Sequence, residues 1–224
     1  NIPDGIQRIV KTQNYDGTWG WWEGDRGNTY TTGFALYSLF QARNYGYTIN
    51  DYTFNQGITA IERIFTAPEK MDNDELSYLA YIYSLSGKWN HPVFKRIAFS
   101  KELNPYQAAN LLKAVSIFKG KGKLQEYESD EIDEGTKIIK KKINESAKRD
   151  SSGIYWPAAK GQSWSWPGGN TEITAHVLSA LLISGESSAM TSQAVASISR
   201  RFRNESWNST KESGTVILVL CDYL

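Results

Sequence analysis

The sequence predicts an all-α fold assembled from stacked helical hairpins, and three observations carry that expectation. Apolar residues recur at helical spacing along most of the chain, while no segment shows convincing strand alternation. The segments between are mostly short and marked by Gly, Pro, Asn and Asp, as between antiparallel neighbours. A plan of Gly/Trp turn, small polar cap and Thr/Ala-rich apolar helix recurs along the chain.

The elements follow in order. Ile6 to Thr12 reads as the tail of a helix, followed by a Gly- and Trp-rich loop from Gln13 to Trp22. From Thr29, the residues Thr32, Ala35, Leu36, Leu39 and Phe40 form one helical face that stops near Gly46. A second helix starts near Asp51, buries Phe54, Ile58, Ile61, Ile64 and Phe65, and is ended by Pro68. Asp72-Asn73-Asp74-Glu75 caps a third, because side-chain oxygens and negative charge suit a helix N-terminus. Pro92 opens a short helix, and Asn104-Pro105 opens a longer one with Ala108, Leu111, Leu112, Val115 and Phe118 as its stripe. Leu124 to Lys148 has its acids first and its bases last, the order one helix dipole favours, so its lysines read as a solvated outer face. A second aromatic loop follows, with Tyr155, Trp156, Trp164 and Trp166, then helices from about Thr171 and Met190. A short loop with Trp207 precedes a last helix holding Val216 and Leu220, which brings the expected number to about ten.

The repeated plan reads Trp22…Asn28-Thr29-Tyr30, Trp166…Asn170-Thr171-Glu172 and Trp207…Ser209-Thr210-Lys211. Units of this kind bury their apolar faces only by stacking on one another. Stacking allows an open solenoid or a closed ring, and periodicity does not choose between them.

Composition excludes several classes. The 224 residues suit a single domain with a large core, and the net charge of +1 carries no basic excess for nucleic acid. No apolar run reaches the roughly 18–20 residues of a membrane helix. One cysteine, Cys221, forbids an internal disulfide, and two distant histidines leave no zinc set. No cofactor is expected. The chain starts at Asn1 rather than Met, which we take as a sign of a piece of a longer, multidomain protein whose targeting segment lies upstream.

Particular motifs resemble a known family. Gln13-x-x-x-Gly17-x-Trp19 is similar to the glutamine–tryptophan turn of terpenoid-cyclase toroids. Asp16-Gly17-Thr18-Trp19, Gly27-Asn28-Thr29-Tyr30, Asp74-Glu75-Leu76 with His91-Pro92-Val93, and Trp207-Asn208-Ser209-Thr210 together resemble, in order, the thioester domain of bacterial alpha-2-macroglobulins. The resemblance runs from about Ile6 to Leu224. It implies an α/α toroid of helical hairpins, lacking its N-terminal part, in an extracytoplasmic endopeptidase inhibitor that traps peptidases by conformational change. It implies no catalysis, with neighbouring domains and, through the whole protein, peptidases as partners. The family's Cys-x-Glu-Gln motif is missing from this chain, and Cys221-Asp222-Tyr223-Leu224 does not replace it.

Candidate interaction residues are the loop aromatics Trp19, Trp21, Trp22, Tyr155, Trp156, Trp164, Trp166 and Trp207. Trp and Tyr dominate interface hot spots, but the same residues also pack hairpin turns together, and both readings stand at this point. His176 reads as a satisfied core or surface histidine, and Cys221 as a buried helix residue. Asp74 invites comparison with the buried acid of class II terpenoid cyclases, a reading that needs it inside a deep aromatic cavity.

Overall fold

The computed structural model describes residues 2–121, 126–158, 168–186, 188–202, 207 and 209–224. Its helices are α1 (Ile2–Lys11), α2 (Thr29–Asn44), α3 (Asp51–Phe65), α4 (Asn73–Leu85), α5 (His91–Ala98), α6 (Pro105–Lys121), α7 (Glu126–Ser146), α8 (Asn170–Ile183), α9 (Ala189–Arg200) and α10 (Thr210–Tyr223). The all-α expectation therefore holds. A two-stranded hairpin, β1 (Lys148–Asp150) with β2 (Gly153–Tyr155), is the exception. Three-residue strands are too short to show a period of two, so the alternation test could not find them.

Most helix starts follow from their caps. The side chains of Asn28, Asn50, Asp72, Asn90, Ser188 and Ser209 each accept a hydrogen bond from a backbone N–H in the first turn. Asn104 does the same for Gln107, one residue ahead of Pro105. Pro68 starts a 3-10 turn after α3 has already ended.

The helices alternate between two layers. α2, α4, α6, α8 and α10 pack side by side in that order and form the inner layer. α3 lies outside against α2 and α4, α5 against α4 and α6, α7 against α5 and α6, and α9 against α8. The sequence encodes the distinction. Inner α4 is buried from Leu76 to Ser84 without a break, and α8 from Thr171 to Leu178, because each is covered all round. Outer α3 and α5 are buried along one stripe, as Phe54, Ile58, Ile61 and Phe65 show. Small residues let the inner helices approach: a Cβ on Gly33 of α2 would meet the Tyr78 ring of α4 at 2.6 Å.

The repeated unit is an outer helix, a tryptophan loop and an inner helix. The Trp19 indole donates to the Ile9 carbonyl of α1 at 2.7 Å, and its backbone N–H donates to the Thr32 hydroxyl of α2 at 3.0 Å. The Trp156 indole donates to the Ile143 carbonyl of α7 at 2.7 Å, and its N–H to the Thr174 hydroxyl of α8 at 3.1 Å. The Trp207 indole donates to the Ile198 carbonyl of α9 at 3.1 Å. The repeat in the sequence is therefore real, but its anchors are Trp19, Trp156 and Trp207. Trp22 does not anchor it, because its ring stands in solvent; Trp166 lies outside the described residues.

Candidate functional site

The loop from Gln13 to Asn28 is fixed by its own polar groups. Gln13 donates through Nε2 to the carbonyls of Gly17 (3.2 Å) and Thr53 (2.9 Å), tying the turn to α3. Gly17 has φ of +82°, and any Cβ there would collide with the Gln56 carbonyl, so the turn requires glycine. Asp16 accepts from the Thr18 N–H and hydroxyl, which hold its carboxyl below the usual range. This rigid turn sends Trp19 into the core and leaves Trp21 and Trp22 outside.

The eight aromatic candidates divide accordingly. Trp19 and Trp156 are core residues and reach no partner directly. Trp21 is 66% exposed and Trp22 79% exposed. Tyr155 is half-buried beneath the Arg201 guanidinium, 4.7 Å from its ring centre, and half-buried Trp207 packs on Phe202. Trp164 and Trp166 lie outside the described residues.

Sequence reasoning missed an apolar cavity of about 400 Å³ lined by the inner helices and open on one side. One wall is aromatic. Trp21 stacks near Tyr30 (6.3 Å between ring centres), Tyr30 stacks on Tyr78 (5.7 Å), and Tyr37 tilts against Tyr81 (6.1 Å). Burial pushes the Tyr30, Tyr78 and Tyr81 phenols far above their usual range, so they stay protonated. The opposite wall is α10, with Gly214, Thr215 and Leu218. α2 and α10 thus face one another across the cavity. A stripe of aromatics on inner helices reads as core from sequence, and no local signal marks one side of it as open.

Basic groups form the cavity floor. Lys113 of α6 is 2% exposed; its Nζ lies 4.0 Å from the centre of the Tyr81 ring and 3.4 Å from His176 Nδ1. Burial draws its amine down to about 7. Burial, with Lys113 and Lys211 nearby, holds the His176 imidazole well below its usual range, so it is neutral near pH 7. Lys113 Nζ and His176 Nδ1 lie within hydrogen-bond distance, and His176 Nε2 lies 4.0 Å from Glu172 Oε1. Glu172, buried on α8, accepts through Oε2 from Lys211 Nζ and from the Gly168 N–H, both at 2.9 Å. Burial raises its carboxyl, against the pull of Lys211. Of the core and surface alternatives for His176, the structure has the core one, with Nε2 making no hydrogen bond.

Three other expectations can be placed. Asp74 is buried but lies away from this cavity, in a polar cleft with Arg96 and Glu102, where Oδ1 accepts from Asn104 and Gln107 amides at 2.7 Å. The cyclase-type reading needed it among the cavity aromatics and loses its support. Cys221 is exposed on α10 rather than buried, as are Asp222, Tyr223 and Leu224 after it. His91 opens α5 and pairs with Glu131 at 2.7 Å. Among the described residues no cluster suits a metal ion, and no helix is long and apolar enough to cross a membrane.

No protein-family model and no curated protein matches the sequence. Solved structures do match its fold. A fragment of native Escherichia coli alpha-2-macroglobulin, from domain MG7 to the C-terminus, aligns over 98% of this chain with a TM-score of 0.74 at 17% identity. Salmonella alpha-2-macroglobulin reacted with methylamine aligns over 97% with a TM-score of 0.76 at 19% identity. Native Escherichia coli alpha-2-macroglobulin aligns over 98% with a TM-score of 0.73 at 17% identity. The chain spans 33%, 14% and 13% of those three chains, respectively. At such identities the likeness is one of fold.

Proposed function

We propose that this chain is the helical-ring domain of an alpha-2-macroglobulin-like endopeptidase inhibitor, a piece of a longer extracytoplasmic polypeptide that traps peptidases by changing shape. The observation that carries the reading is the match of nearly the whole chain to one region of bacterial alpha-2-macroglobulins. The ordered motifs in the sequence point the same way. In this reading the domain catalyses nothing. It docks on its neighbours through exposed loop residues, with Trp21 and Trp22 the foremost candidates.

The chain itself brings no thioester chemistry, because Cys221 is its only cysteine and is followed by Asp222-Tyr223-Leu224. If the parent has a Cys-x-Glu-Gln motif, it lies upstream of this segment. The test is made on the parent protein treated with trypsin. The proposal expects cleavage to be followed by a compact form that retains the peptidase and shields it from a large protein substrate. Complete digestion with no peptidase retained would refute it. Labelling by radioactive methylamine upstream of Asn1, and none within residues 1–224, would identify a covalent trap; no labelling anywhere would leave a steric one.

A further inference from the structure

The cavity has the build of a small-molecule site. All five inner helices reach it, and its volume of about 400 Å³ is that of a ligand pocket, roughly 300–1,000 Å³. Its walls differ in kind. The rings of Trp21, Tyr30, Tyr78 and Tyr81 stand on one side, and Ala175 and Gly214 present little bulk from α8 and α10. Lys211, Gly214, Leu218 and Asp222 follow one another at helical spacing, so a single face of α10 is turned to the cavity. A Cβ added to Gly214 would meet no atom within 4 Å. A flat apolar group therefore has room between the rings and this face.

Lys113 supplies a charged anchor at the bottom of that space. Its ammonium is buried, and its two close neighbours, the Tyr81 ring and the neutral His176 imidazole, bring no negative charge. Among the described residues no carboxylate lies within ion-pair distance of it. Glu172 is matched with Lys211, and Asp222, which lines the same cavity, forms no ion pair with Lys113. His176 lines the cavity as well, is 8% exposed, and keeps an Nε2 that makes no hydrogen bond. A buried ammonium without a counter-charge is costly, and a carboxylate at hydrogen-bond distance relieves much of that cost. An inorganic anion would answer the charge but leave the aromatic wall in water, so charge and walls together call for an acid on an apolar stem.

We propose that the cavity is a reversible binding site for a small carboxylate carried on an aromatic stem: the carboxylate pairs with Lys113, and the stem lies between the tyrosine wall and α10. Lys113 sets the choice of an acid over its neutral analogue, and the slot beside Gly214 sets the choice of a flat stem. The site goes beyond peptidase trapping and does not depend on it.

The test is a calorimetric and NMR titration of the 224-residue chain, near neutral pH, with 4-phenylbutyrate, its neutral amide, and decanoate, which has the same number of carbon atoms on a flexible stem. 4-Phenylbutyrate is expected to bind about tenfold more tightly than the amide and several-fold more tightly than decanoate, and to shift the ring signals of Tyr81 and His176. Lys113→Met, checked for folding by thermal unfolding, removes the preference for the acid while the amide still binds. Lys137→Met on α7 leaves the preference intact. Gly214→Leu, which fills the slot from a helix that tolerates leucine, weakens acid and amide alike by about tenfold or more. The intact parent protein gives the same order of affinities. Equal binding of acid and amide, or a preference that survives Lys113→Met, overturns the anchor. Decanoate binding as tightly as 4-phenylbutyrate, or no effect of Gly214→Leu, overturns the aromatic slot. Binding by the 224-residue chain with none by the intact parent overturns the site as a whole. A parent that retains trypsin yet fails these titrations refutes the site and leaves the trapping reading standing.

Discussion

The unit α7–Trp156–α8 and the unit α1–Trp19–α2 are built on the same pair of hydrogen bonds, yet they are buried to different depths. In the first, outer α7 packs on both α5 and α6 and buries Ile132, Ile139 and Ile143. In the second, α1 packs mainly on α2, and Ile6, Ile9 and Val10 remain partly covered. Local chemistry makes the unit; neighbours decide how much it contributes to stability. A stacked repeat gains most of its stability from interfaces, so the unit at an open end is the weaker one.

Several substitutions would break or sharpen this comparison. The largest effect is expected for Trp156→Ala, which empties the volume of a fully buried indole and leaves the Ile143 carbonyl without its donor. Chemical denaturation should register a loss of about 3–5 kcal/mol. Ile143→Ala in α7 should cost about 2–4 kcal/mol, and the matching Ile9→Ala in α1 less than about 1 kcal/mol. Similar losses at the two isoleucines would contradict the distinction between interior and end.

Lys113→Met should move the other way, stabilising the isolated chain by about 1–3 kcal/mol at pH 7, because an apolar isostere removes an unmatched buried charge. The pH dependence has a defined sign. The folded amine is drawn down to about 7 from an ordinary 10.5, so between those values the unfolded chain binds more protons. Stability contributed by this group is therefore lowest below pH 7 and rises towards pH 10.5. Urea midpoints of the wild type should show that rise and those of Lys113→Met should not. The smallest effect is expected for Trp22→Ala, within about 0.5 kcal/mol, since the ring is in solvent. The proposed docking role predicts that the same change weakens assembly of the parent while leaving the melting temperature of this domain alone.

Much of the architecture was legible in residue order, because caps and apolar stripes are local signals. Asn28, Asp72, Asn90 and Ser188 mark the helix starts where the structure has them. The division into layers was also present, in the contrast between the single stripe of α3 and the all-round apolar character of α8. The anchors of the repeat were harder to read. Trp19, Trp21 and Trp22 sit within one loop, and only the turn at Gly17 decides which of them enters the core. The cavity was not legible at all. Tyr30, Tyr78, Lys113 and His176 come from four helices, and their meeting depends on how those helices pack. Lys113 in particular sits amid a buried stripe, and sequence gives no sign that its counter-charge is missing.

The measurement that tests this account most directly is native-state hydrogen exchange on the 224-residue chain, comparing the amides of α1 with those of α7. The account predicts that the amides of α1 exchange by local opening, far faster than those of α7. If α1 exchanges only with global unfolding, as protected as α7, the distinction between the two units is wrong.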